Sequence, residues 1–350
     1  MALSTKAKEI LNRPDLIARQ DAWFERLQQV FDNGGNEPVW ENAFALNGII
    51  GVGKHDLFTE PELWVEDCLE DLADRYEVML DEDCFRPLCF NLMDIYGVHY
   101  VDKMFGAHVY YMHDQWYNDV LKTPIGTLKK PDLETDEVWA LTKRIVNAFL
   151  AADVALPLFS MPVIASVLNI SVNLYGAEIL MEMLTDPDNA MKDLVTINDF
   201  LCELHGYFRS MIPPKQLQPV VAWARAQPPG YGQLCGCTSH LISGELYEEM
   251  IAPLDDKLLG VYPNGGLIHL CGKHTQHIKS FSKMKNVKAI QLNDRAADDF
   301  AEYYEGLRDD QVIYLNPSSK VSAEDAVRLC GGRRLIIPEL LEKPIPCKLK

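Results

Sequence analysis

Two short stretches place soft metal donors at matching spacing: residues 231–240 read YGQLCGCTSH and residues 265–274 read GGLIHLCGKH. In a β-strand the side chains at i and i+2 face the same way. Cys235 with Cys237, and His269 with Cys271, would therefore each present two ligands from one strand end. Together they offer three thiols and an imidazole, a set that suits tetrahedral zinc because thiolate and imidazole match a borderline-soft ion. The alternative is reduced cysteines and a histidine packed in a core, since free cysteine is among the most buried residue types. Gly272 ends the second run at once, which leaves His269 and Cys271 at a strand terminus and favours metal binding there. Gly236 interrupts the first run. Of that pair Cys237 is the expected ligand, with Cys235 packed about 6–7 Å deeper by strand rise.

Other polar residues close apolar runs in the same way. Asn293 and Asp294 end VKAIQLND, Asn316 follows QVIYL, and Glu339 follows RRLIIP. Asp294 suits a general base or a substrate anchor, or alternatively a helix N-cap; Glu339 is the second carboxylate of catalytic type. Trp40 and Arg86, from the first two apolar runs, join Asn293 and Asn316 as candidates to line the mouth where substrate binds. His274 and His277 stand at helical i, i+3 spacing in KHTQH, where they either open a solvated helix or, His274 foremost, hold a substrate anion. The segment GIIGVGKH (48–55) fits the phosphate-cradling pattern G-x-x-x-x-G-K until His55 replaces the Ser or Thr that would ligate magnesium. It reads better as a loop over the mouth.

The elements that must position these residues follow from the spacing of apolar side chains. Short apolar runs occur at 37–40, 85–90, 155–159, 232–237, 266–272, 287–294, 311–317 and 333–338. Segments of helical period, such as 62–80, 175–208 and 243–262, separate them. Strand and helix alternating about eight times predicts an α/β fold, a (β/α)8 TIM barrel, with the polar residues above gathered at the carboxyl ends of its strands. Residues 1–36 read as an N-terminal helical extension and 37–350 as a single catalytic barrel domain. The Tyr- and Trp-rich stretch 91–150 reads as an insertion.

Composition narrows the function. The chain has 350 residues, 48% hydrophobic and 24% charged, with a formal net charge of -18, so a nucleic-acid partner is not expected. The start lacks an apolar stretch of signal-peptide length, and the most apolar segment, 151–170, is broken by Asp153, Pro157, Pro162 and Asn169. A cytoplasmic protein without a membrane span is the expectation, its nine cysteines reduced. Oligomeric state is not legible.

The order LISGELYEEMIAPLDDKLL (241–259), GGLIHLCG and QVIYLNP resembles the uroporphyrinogen decarboxylase superfamily, which includes corrinoid-linked methyltransferases. The His-x-Cys-Gly element is similar to that of the methyltransferase branch, where the resemblance implies that His269 and Cys271 bind catalytic zinc and a further cysteine comes from the last strand. RRLIIPELL has no such cysteine; Glu339 lies near the place, Cys330 precedes it and Cys347 lies in the tail. Cys237 is the candidate substitute. The resemblance implies a zinc-dependent methyltransferase acting between a small-molecule substrate and a thiol or a corrinoid carried by a partner protein. Decarboxylases of the superfamily work without metal and grip substrate carboxylates with arginines on an N-terminal strand; here ARQDAWFER (18–26) has the arginines but reads as helix. A metal-independent decarboxylase or lyase is the first alternative, and a noncatalytic barrel that binds a partner is the second.

Overall fold

The computed structural model describes residues 3–33, 39–42, 54–80, 87–219 and 226–339. Its strands are β1 (Val39–Asn42), β2 (Cys89–Asn91), β3 (Val109–Met112), β4 (Gln115–Asn118), β5 (Leu158–Ser160), β6 (Leu217–Gln218), β7 (Gly232–Cys235), β8 (Gly266–Cys271), β9 (Val287–Asn293), β10 (Val312–Leu315) and β11 (Leu335–Glu339). Each of the eight apolar runs contains or overlaps one of them. β6 and the hairpin β3–β4 lack a comparable apolar run and were not anticipated.

Among the described residues the chain is a mixed α/β fold with two parallel sheets. One holds six strands in the order β1-β11-β10-β9-β8-β7, the other three in the order β2-β5-β6, and β3–β4 is antiparallel. A closed eight-stranded barrel is therefore not shown; pairing stops at β7 and β1 on one sheet and at β2 and β6 on the other.

The register of the larger sheet decides what can meet. β7 pairs with β8 so that Cys235 lies beside His269, and β8 pairs with β9 so that His269 lies beside Gln291 and Cys271 beside Asn293. Two glycines pin this register at the strands' start. Gly232 and Gly266 are partners, and a Cβ on Gly266 would come within 2.3 Å of the Gly232 carbonyl oxygen. The near-continuous apolar run of β8, buried up to Leu270, is what a parallel strand covered on both faces requires.

Helices cover the sheets. Thr5–Leu11, capped by Ser4, and Pro14–Asn33 form the helical start, burying Leu11, Leu16, Leu27 and Val30. The segment 175–208 divides at Asp186 into Glu178–Thr185 and Pro187–Met211, because Pro187 starts a new helix that Asp186 caps. No single helix among the described residues is long and apolar enough to cross a membrane. The insertion-like stretch carries the β3–β4 hairpin, whose tip residues His113 and Asp114 both have positive φ, and an aromatic cluster in which Trp116 packs against Tyr96, Tyr111 and Phe58.

One buried histidine makes stability depend on pH. His205 is fully buried in Pro187–Met211; its Nδ1 shares a 2.7 Å hydrogen bond with Tyr262 Oη, and its Nε2 has no partner. Burial pushes its pKa down from 6.5 to about 3. Below about pH 6.5 the unfolded chain binds a proton there that the folded chain refuses, so this contribution is complete above that pH and is lost as pH falls toward 3. Urea unfolding at pH 7 and pH 5 should show a fall in stability that is smaller in His205→Gln, the remainder belonging to the buried His274 and His277. An equal fall in the variant would place the acid sensitivity elsewhere.

Candidate metal centre

The carboxyl ends of β7 and β8 bring the sequence-predicted donors together. One ligand atom from each of Cys235, Cys237 and His269 lies within 4.8 Å of the others. The Sγ atoms of Cys235 and Cys237 are 3.4 Å apart, and Cys271 Sγ is 3.2 Å from His269 Nε2. Cys237 also hydrogen-bonds Cys271. Donors around a tetrahedral zinc would be separated by about 3.6–3.8 Å, given bonds of about 2.3 Å to sulfur and about 2.0 Å to nitrogen. The pairs Cys235–Cys237 and Cys271–His269 are thus close to ligand spacing.

The expected depth of Cys235 is corrected here. β7 ends at Cys235, and a 3-10 turn, Cys237–Leu241, begins two residues later. The chain curls at Gly236, so strand rise does not separate the two thiols and both face the cluster. The curl needs a glycine: a Cβ at 236 would lie 2.9 Å from Ile268 Cγ2 and 3.4 Å from Leu270 Cδ2. Gly272, with φ +83, lets β8 turn away immediately after Cys271.

Charge at the thiols is unequal. Cys271 is driven strongly toward thiolate, first by the hydrogen bond from Cys237 and then by His269 and by Asn293, whose Nδ2 donates to Cys271 Sγ at 3.4 Å. Cys237 is driven the other way, its proton held by Cys235 and Cys271. One thiolate clasped by a protonated neighbour is the arrangement a metal would replace, releasing the remaining thiol protons on binding.

A layer of hydrogen bonds holds the two ligand turns together. His274 is fully buried, with Nδ1 on Ser239 Oγ at 3.0 Å and Nε2 on the Cys271 carbonyl. His277 Nε2 meets the Ser239 carbonyl at 2.8 Å, and His240 Nδ1 meets the Cys237 carbonyl at 2.6 Å. From the neighbouring helix Val167–Tyr175, Asn169 donates to Cys235 Sγ at 3.6 Å and accepts from the Thr238 amide at 3.0 Å. A solvated helix start at His274 and His277 is therefore corrected: both are buried, and burial pushes His274 down to about pKa 4 and His277 below its ordinary value. His274 has both ring nitrogens occupied, which leaves it tying turns together rather than open to a substrate anion.

The remaining sequence candidates are spread around the strand ends. Asn293 touches Cys271, and Asn316 Oδ1 accepts from Gln291 Nε2. Asp294 is exposed, has φ 53 and begins a 3-10 turn without capping it. Trp40 lies in β1 and Glu339 closes β11, but their side chains are outside the described residues, as are Arg86 and Cys347 altogether. Cys330 is buried in the helix Ala323–Cys330. Of GIIGVGKH only Lys54 and His55 are described; both backbone amides donate to Asp67, and the His55 ring pairs with the same carboxylate at 2.9 Å. All seven cysteines among the described residues are free thiols.

Sequence reasoning missed Gln291, Ser239, His240 and Asn169. Gln291 left a signal, a lone amide inside the buried run of β9. The others sit in turns and on a helix whose closeness only the fold reveals.

No protein-family model matches the chain, and no curated protein does. Among solved structures the fold is similar to a methyltransferase from Methanosarcina mazei, at a TM-score of 0.60 and 10% sequence identity over 87% of this chain and 88% of that one.

Proposed function

We propose that the chain is a zinc-dependent methyltransferase that moves a methyl group between a small substrate and a thiol or a corrinoid carried by a partner protein. The observation that carries this reading is the cluster of Cys235, Cys237, His269 and Cys271 at adjacent strand ends. The likeness in fold to a methyltransferase supports it. Cys237, His269 and Cys271 would hold the ion, and Cys235 would fill the fourth position until a substrate thiol arrives. Zinc bound there would supply a Lewis acid that keeps a thiolate at neutral pH. Asn293, which touches Cys271, and Asn316, bonded to Gln291 at the next strand end, are the amides proposed to orient substrate, while Asp294 and Glu339 are the carboxylates proposed to exchange protons with it.

The two sheets are read as arcs of one barrel, a single catalytic domain from 37 to 350 behind its helical extension. Gln218 donates to the Gln227 carbonyl at 2.9 Å and Gln227 donates to Gln233 Oε1 at 2.7 Å, which bridges β6 to β7. The Ser166 amide donates to the Cys235 carbonyl at 2.9 Å, which joins the loop after β5 to the same strand. A cytoplasmic setting, where neighbouring thiols stay reduced, belongs to the same proposal.

The test is consumption of methylcobalamin in the presence of a small thiol by protein purified without added zinc. Turnover that disappears on chelation and returns with zinc is the expected result. A metal-free preparation that turns over a carboxylated substrate instead would establish the decarboxylase alternative.

A further inference from the structure

Gln291 and Asn316 form a hydrogen-bond chain behind the candidate metal centre, and its direction is fixed by chemistry. Gln291 is fully buried on β9, beside His269 in the sheet register. Its Oε1 meets His269 Nδ1, and its Nε2 donates to Asn316 Oδ1 just beyond β10. An amide oxygen only accepts, so His269 Nδ1 must carry the proton. With Nδ1 committed to Gln291, Nε2 is the nitrogen that a metal would take in place of the proton it shares with Cys271 Sγ, 3.2 Å away. The orientation of Gln291 is set in turn by Asn316, whose backbone amide is anchored to the Leu292 carbonyl at 3.0 Å. The chain thus crosses three adjacent strands and ends at the ring nitrogen that faces the thiols.

We propose that Gln291, seated by Asn316, is a positioning residue that locks the imidazole of His269 in the tautomer whose Nε2 lone pair points at the metal. This rests on the zinc reading above and adds a residue that neither the donor spacing nor the His-x-Cys pattern identifies. A ligating histidine whose other nitrogen donates to a fixed acceptor is both oriented and more basic, and loss of such a partner commonly costs about 10–100-fold in metal affinity. A buried glutamine placed only for packing would carry no such consequence.

The experiment compares zinc affinity and the cobalt(II) absorption spectrum in four proteins: wild type, Gln291→Met, Gln291→Glu and Asn316→Ala. Methionine preserves the volume and removes the acceptor, which keeps the β9 packing filled. Glutamate restores an acceptor for Nδ1, and the Asn316 amide turns so that its nitrogen donates to the second carboxylate oxygen. Gln291→Met should bind zinc at least about 10-fold more weakly and lose the wild-type cobalt spectrum. Gln291→Glu should recover both, and Asn316→Ala should fall between. Wild-type affinity in Gln291→Met, or a Gln291→Glu protein as weak as Gln291→Met, would overturn the proposal while leaving zinc binding intact. A wild-type protein that takes up neither metal would defeat the zinc reading itself, and this inference with it.

Discussion

Substituting His269 by alanine or Cys237 by serine should weaken zinc binding more than substituting either of the other two donors. The cluster contains two overlapping triads. Cys235, Cys237 and His269 lie mutually within 4.8 Å, while Cys271 touches both His269 and Cys237. His269 and Cys237 belong to both triads, so removing either breaks both. Removing Cys235 or Cys271 leaves one triad standing. Assembly of a structural zinc site is worth about 10–16 kcal/mol, so each of four ligands carries roughly 3 kcal/mol, on the order of 100-fold in affinity. His269→Ala and Cys237→Ser should lose at least that much. Cys235→Ser and Cys271→Ser should each lose less, and the double variant should lose the site. Competition titration against a chelator reads the order directly; a Cys235→Ser protein weaker than Cys237→Ser would refute the shared-donor geometry.

Replacing His274 by alanine should damage both the fold and the metal site. The imidazole is fully buried and spans the two ligand turns, holding Ser239 on one and the Cys271 carbonyl on the other. Its low pKa keeps it neutral at working pH, with Nε2–H donating to the Cys271 carbonyl and Nδ1 facing the Ser239 hydroxyl. Truncation would leave the Cys271 carbonyl without its imidazole partner and open a cavity, at a cost of about 3 kcal/mol. Freed turns would hold Cys237 and Cys271 less firmly, so zinc affinity should fall by about 10-fold or more. Thermal melting of the zinc-free protein and titration of the same sample measure the two effects. A variant that melts with the wild type and binds zinc equally well would refute this tying role for His274.

The strands were legible because a parallel strand covered on both faces must be almost wholly apolar, and runs such as GLIHLC and VKAIQL have that character. The His269–Cys271 pair was legible for the same reason, since polar donors stand out where such a run ends. Other features depended on contacts that spacing does not encode. Cys235 was misplaced because two-residue periodicity was carried past the end of β7, where Gly236 turns the chain back. The buried clasp of His274 and His277 looked solvated because KHTQH is polar in composition, while its burial is imposed by the turn packed over it. β6 is two residues long, too short to leave a periodic signal.

X-ray absorption at the zinc edge tests the central claim most directly, because it counts the donors without requiring a substrate. Zinc-loaded protein should show about three sulfurs near 2.3 Å and one nitrogen near 2.0–2.1 Å. In Cys237→Ser any residual zinc should have lost one sulfur. A shell of oxygens alone, or a wild-type protein that holds no zinc after loading, would contradict the assignment of Cys235, Cys237, His269 and Cys271 as a metal centre.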